Sequence, residues 1–223
     1  MKKLKEILLR LRDYPKTLYF NLMIFPMGIA FKTPILIKYN VKIHQIERGC
    51  IELKGPIKYG MVKIGYNGAG FIPENKSSIC IRNGGKIRFA KDCVITEGAN
   101  IHISGGILDI GENFYANRNL QIQCEEKIEI GDNSLFGWNV NVRDTDGHIT
   151  YCDSIASTEK LEIVVEPKVW IASNSTILKG SKLSKGSIVG CNSLVCGTKM
   201  NENECLLAGI PAKIKKHNIT WDK

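Results

Sequence analysis

The residues best suited to chemistry lie in one short stretch, Arg143-Asp-Thr-Asp-Gly-His148. Imidazole titrates near neutral pH, and a neighbouring carboxylate can fix its tautomer and steady the imidazolium, so His148 reads as a general base. Alternation along an extended segment would put Asp144, Asp146 and His148 on one side, with Asp146 the preferred orienter and Asp144 the second. The competing reading is a solvated turn, because Asp and Gly favour turns in any context. The other histidines rank lower. His102 sits in the alternating stretch Ile101-His-Ile103 as an outward strand residue, and His44 and His217 have no carboxylate neighbours in sequence.

Composition narrows the chemistry further. The four histidines are scattered and the eight cysteines form no C-x-x-C pair, so no metal site is expected. The start of the chain does not resemble a signal peptide, which implies reduced thiols and a cytoplasmic protein. A net charge of +9 over 223 residues implies anionic company. The basic residues do not interleave with aromatics as in a nucleic-acid module, so no nucleic-acid partner is expected. Instead, Lys2, Lys3, Lys5, Arg10, Arg12 and Lys16 precede an apolar run from Leu18 to Phe31, and a second cluster, Lys213, Lys215 and Lys216, lies near the C-terminus. The run is broken by Asn21 and Pro26 and is too short to span a bilayer. Segment 1–40 therefore reads either as a cap on the fold or as an anchor at the inner face of the membrane. In the second case Leu18, Tyr19, Phe20 and Ile24 would enter an anionic interface.

The elements that must hold His148 are encoded by a period of six. Val165, Ile171, Ile177, Leu183, Val189 and Val195 are aliphatic, and a small residue follows four places later at Val169, Ser175, Ser181, Ser187 and Ser193, until Lys199 breaks the rule. That period belongs to neither an α-helix nor a flat strand. It is the signature of a parallel β-helix, in which three six-residue rungs make one triangular turn and the aliphatic residue points inward from each face. The same phase runs upstream through Phe89, Ile95 and Ile101, then Ile110, Ala116 and Ile122, then Ile130, Phe136 and Val142, with Cys93 and Ser134 in small slots. An antiparallel sandwich with regular turns is the alternative, but it would not keep phase over six rungs. The expected fold is an all-β solenoid over 41–215 with a tail at 216–223. Its main break, 143–164, contains His148.

Several motifs resemble a known family. Gly131-Asp-Asn133, Phe136-Gly-Trp-Asn-Val140, Asp144-x-Asp146-x-His148, Val169-Trp-Ile171, Ile177-Leu-Lys-Gly180 and Ala208-Gly-Ile-Pro-Ala-Lys213 are similar to the left-handed β-helix acyltransferases, and within them to bacterial sugar and polysaccharide O-acetyltransferases. The resemblance covers about Gly60 to Lys216. It implies a left-handed coil, acetyl-CoA as co-substrate, a sugar or glycan acceptor, and a homotrimer whose active sites each lie between two chains. It also implies site residues: His148 as catalytic base, Asn139 near the acceptor hydroxyl, and Trp170, Ala172, Ser173, Gly190 and Cys191 along the pantetheine groove. Arg143, which opens the excursion that holds His148, is expected to bind the acceptor as well. Lys213 would lie near the CoA phosphates. Glu166 and Ala172 depart from the family pattern, where glycine is usual. N-acetylation of an amino sugar is the close alternative. A γ-type carbonic anhydrase would share the coil but needs metal-binding histidines at a spacing this chain lacks, and a non-catalytic scaffold would need neither His148 nor the basic C-terminus.

Overall fold

The computed structural model describes residues 2–66, 68, 75–157 and 159–222, with side chains from Leu11 onward, so the side chains of Lys2, Lys3, Lys5 and Arg10 lie outside the described residues. Strands of two to five residues wind into a parallel β-helix with three flat faces. The first face runs from Ile35–Ile37 to Leu206–Gly209, the second from Lys42–Ile43 to Leu194–Val195, and the third from Ile51–Leu53 to Lys182–Leu183. The coil thus starts at Ile35, a few residues before position 41.

The period-six positions stack in register. Ile95, Ala116, Phe136, Ile171 and Val189 form one inward column on the first face. Ile101, Ile122, Val142, Ile177 and Val195 form a second, and Phe89, Ile110, Ile130, Val165 and Leu183 a third. All are buried. The small slots lie under the corners, where the serine hydroxyls bond backbone that a larger side chain would displace. Ser175 Oγ donates to Gly190 O at 2.9 Å, and Ser187 Oγ accepts from Cys205 N at 3.3 Å.

The corner between the first and second faces turns through Asn119, Asn139 and Asn174, all at left-handed φ of 56–64°. Asparagine tolerates that conformation better than most residues. Here the amides also stack, Asn75 to Asn119 and Asn119 to Asn139 at 2.9 Å and Asn139 to Asn174 at 2.8 Å.

The first strand, Ile35–Ile37, has no coil before it, so its outer edge needs partners. Helix α1 (Lys2–Ile24) supplies them, followed by a single turn, α2 (Met27–Ala30). Asp13, Thr17 and Asn21 recur every fourth residue and so share one helix face, and all three are buried. The Asn21 amide donates to Ile35 O at 2.7 Å and accepts from Ile35 N at 3.2 Å. Thr17 Oγ1 does the same for Ile37, at 3.1 Å each way. Asp13 accepts from Tyr39 N at 3.2 Å. Polar side chains on a helix thus replace the hydrogen bonds of a missing strand.

Phe20 and Ile24 are buried in the core against the first coil. This corrects the expectation that they enter a lipid interface, because the apolar helix face that carries them is already covered. Among the described residues, the exposed apolar side chains on this cap are others: Leu11 at 64%, Tyr14, Tyr19 at 61%, Leu22, Met27 and Phe31. No helix among the described residues is long and apolar enough to cross a membrane.

Replacing Asn21 by Leu keeps bulk but leaves both polar groups of Ile35 unpaired. At about 1–3 kcal/mol per buried orphan group, the loss should be about 2–4 kcal/mol. Urea denaturation should show it, and a loss below about 0.5 kcal/mol would mean that the helix does not seal this edge.

Candidate active site

The coil is interrupted at the corner between the second and third faces. Arg143 ends the strand Asn141–Arg143, and the chain returns at Ile163–Val165. Between them lies an antiparallel arm, closed at its root by Leu161 N to Asp144 O at 3.0 Å and by a Thr145–Lys160 bridge. Its tip pairs Tyr151–Cys152 with Ile155–Ala156. The tip turns through Asp153 and Ser154, both at positive φ (48° and 65°), as the inherent twist of a two-residue hairpin demands.

Three contacts fix the root of the arm. The buried Asp144 carboxylate accepts from Glu125 N at 2.8 Å and Glu126 N at 2.9 Å. Burial pushes its pKa up, opposed by those amides and by the Cys124 thiol. Lys160 pairs with Glu125 at 3.2 Å, and Asp146 pairs with Lys179 on the next coil. The expectation that Asp144, Asp146 and His148 share one side is therefore corrected: unpaired corner amides pull Asp144 inward, and Lys179 engages Asp146. His148 is exposed at the surface of the arm, with no hydrogen-bond partner among the described residues.

Arg143 is exposed beside the root and donates from Nε to Asn141 Oδ1 at 3.0 Å. It is the last polar member of an outward row on the second face, Cys80, His102, Gln123 and Arg143, one residue per coil, which Leu178 continues. At the far end of the row a shallow trough of about 470 Å³ is lined by His44, Gln45, Ser78, Cys80, Asn100 and His102. Burial, then the charge of Arg82, holds the His102 pKa below its usual value. Sequence reasoning missed this row, because corners of unequal length separate its members along the chain.

The other named residues lie elsewhere. Asn139 belongs to the asparagine ladder at the opposite edge of the second face. Ala172, Ser173, Gly190 and Cys191 occupy the same corner on the next two coils. The Ala172 and Gly190 amides already donate within the ladder, to Val189 O at 2.8 Å and Leu207 O at 2.7 Å, so the half-buried Ser173 and exposed Cys191 form the outer surface of this corner. The turn is tight: a Cβ on Gly137 would sit 2.7 Å from Ser173 N. Trp170, on the first face, packs on Trp221 of the C-terminal tail with centroids 6.0 Å apart, and Trp221 Nε1 donates to Lys168 O at 3.0 Å. Lys213 is exposed on Ala212–Lys216, which folds back antiparallel on Leu206–Gly209.

Within one chain, then, the histidine arm and the Asn139–Ser173–Cys191 corner occupy opposite edges of the second face. Three residues of strand, roughly 10 Å, separate them.

The chain is 31% identical over 158 residues to a putative lipopolysaccharide biosynthesis O-acetyl transferase, WbbJ, of Escherichia coli K12, spanning 64% of this chain and 80% of that one. It is 34% identical over 128 residues to the galactoside O-acetyltransferase of the same organism, of which it spans 58%, with 56% of this chain matched. Among solved structures it is similar to the polySia-specific acetyltransferase NeuO, with a TM-score of 0.51 and 21% identity, covering 85% of this chain and 89% of that one. No protein-family model matches the sequence. The fold is that of the left-handed β-helix, and the chain belongs to the hexapeptide-repeat acetyltransferases. Its chemistry is acyl transfer.

Because Asp144 ties the arm to the previous coil, Asp144→Ala should leave two corner amides unpaired and cost about 2–4 kcal/mol. Limited proteolysis within 145–157 should also accelerate while the coils stay resistant. Unchanged cleavage in the arm would separate Asp144 from arm position.

Proposed function

We propose that this protein transfers the acetyl group of acetyl-CoA to a sugar hydroxyl of a cell-surface polysaccharide or its precursor, at sites formed between neighbouring chains of a homotrimer. The observation that carries this reading is the separation of His148 from the Ser173–Cys191 corner within one chain. A cyclic trimer that sets the arm of one chain against the corner of the next would unite them. Resemblance to lipopolysaccharide and galactoside O-acetyl transferases supports a sugar hydroxyl as the acceptor.

A hydroxyl is a weak nucleophile. His148 takes its proton as the oxygen attacks the thioester carbonyl; the carbon–sulfur bond breaks, and the imidazolium returns the proton to the departing CoA thiolate. Direct transfer needs no covalent enzyme intermediate. Asp146, through its pair with Lys179, and the buried Asp144 position the arm that carries His148. Arg143 and Asn139 would meet the acceptor from the two sides of the proposed interface. Lys213 offers its charge to the CoA phosphates, and Trp170 borders the groove. The polar row from His102 to Arg143 gives a glycan a path toward the arm.

His148→Ala should keep the fold and lower turnover by about 10²- to 10⁴-fold, the scale for losing a general base. Thiol release from acetyl-CoA with pooled sugar and amino-sugar acceptors reads this loss and separates O- from N-transfer. Cys191→Trp, at the exposed corner, should block the groove. Co-refolding the two inactive variants should restore activity, because mixed trimers contain some interfaces with both edges intact. No recovery would place the site within one chain.

The exposed cap residues Leu11, Tyr14, Tyr19, Leu22, Met27 and Phe31, joined to a basic helix, favour peripheral contact with an anionic leaflet on the cytoplasmic side. The protein should float with anionic vesicles and not with neutral ones, and Leu11→Glu with Phe31→Glu should abolish flotation. Failure of the intact protein to float would defeat this part of the reading.

A further inference from the structure

Among the described residues, one group of three potential ligands converges, and the acyl-transfer chemistry uses none of it. Glu202, Cys205 and His217 bring one ligand atom each to within 4.8 Å of the others. Glu202 and Cys205 belong to the turn that enters the last strand of the first face. His217 follows the terminal strand Ala212–Lys216, whose register shifts between Leu206 and Leu207. Such a bulge re-aims side chains, and here the reversed chain brings His217 back over the turn it left. The four histidines look scattered along the sequence, so no pattern there announces this meeting.

The geometry excludes a nucleophile–base–orienter relay. In such a relay the thiol and the carboxylate use opposite ring nitrogens. Here both face the same one: Cys205 Sγ lies 3.7 Å from His217 Nδ1, and Glu202 Oε2 lies 2.9 Å from it. A single Nδ1 proton cannot serve both. Sulfur, imidazole nitrogen and carboxylate oxygen instead gather as a cation site needs, once the Nδ1–Oε2 pair opens from its 2.9 Å hydrogen bond to the roughly 3.4 Å that two zinc ligands keep and the thiol leaves Asn203 O, 3.3 Å away. Zinc binds thiolate sulfur at about 2.3 Å and imidazole nitrogen at about 2.0–2.1 Å, so in a tetrahedral site sulfur and nitrogen stand about 3.6 Å apart, close to the spacing found. The donor set agrees: sulfur, imidazole and carboxylate suit zinc, whereas magnesium and calcium select oxygen alone.

We propose that Glu202, Cys205 and His217 bind one zinc ion per chain, which staples the C-terminal tail to the last coil. Cys205 is fully buried and forms the floor, while Glu202 and His217 are 62% and 57% exposed, so the fourth position opens to solvent for a water. On binding, the thiol gives its proton to solvent as the sulfur–zinc bond forms. The ion is structural and lies at a different corner from the His148 arm. Among the described residues no further coil covers the last one, and its tail already leans on the stem through Ile219 N to Glu204 O at 2.8 Å and through Trp221 on Trp170. The ion would close that flap.

The test uses the full chain with the exposed Cys152, Cys191 and Cys196 changed to Ser, which removes competing thiols. The metal-stripped protein is titrated with zinc against a chromophoric chelator, then with cobalt. One zinc per chain should bind, the melting temperature should rise, and cobalt should show a sulfur-to-metal charge-transfer band. His217→Ala changes an exposed side chain and should fold normally, yet weaken zinc binding by more than about 10-fold. Cys205→Ser should lose the cobalt band. Zinc affinity unchanged in His217→Ala, or a cobalt complex without the thiolate band in the parent, would overturn the proposal.

Discussion

A parallel coil is stable only where another layer covers it, and that constraint governs this molecule from end to end. Each rung contributes one inward aliphatic residue and one set of backbone bonds, both completed by the next coil. In the middle this happens automatically, as Ile171 sits between Phe136 and Val189. At the first coil it cannot, so α1 presents Thr17 and Asn21 as substitutes for a strand. At the last coil the chain reverses and lays its own terminal strand and Trp221 back on the stem. A similar need shapes the arm: its departure leaves the Glu125 and Glu126 amides without ladder partners, and Asp144 takes them.

The chemistry inherits its precision from that rigidity. A loop histidine is useful as a base only if its root cannot wander. The buried Asp144 and the ion pairs Lys160–Glu125 and Asp146–Lys179 tie the root to the coils on either side. The corner carrying Ser173 and Cys191 is equally fixed, by stacked asparagines and by amides already committed to the ladder. In the proposed reaction a chain brings two stiff edges and lacks only a neighbour to place one against the other. Assembly and catalysis are then the same requirement.

Much of the fold was legible because inward columns repeat a residue type at fixed spacing. Every period-six position from Phe89 to Val195 falls on the column that the phase assigns. The earliest coils were not legible, since the inward residues Ile64 and Ile79 stand fifteen positions apart in sequence, which breaks the phase of six. Asn21 looked like a defect in an apolar run, because its value lies in bonds to a strand fourteen residues away. Local alternation misplaced Asp144, since it ignores a corner of the previous coil that competes for the carboxylate. Asn139 gave no sign in sequence of its ladder, whose members come from successive coils. The meeting of Cys205 with His217 depends on a chain reversal, which no linear spacing encodes.

The most direct measurement of the central claim is the structure of the assembled protein with bound CoA. The account predicts CoA lying between two chains, its sulfur near His148 of one and its pantetheine arm along the Ser173–Cys191 corner of the other. CoA held by residues of a single chain, or a sulfur remote from every His148, would contradict it.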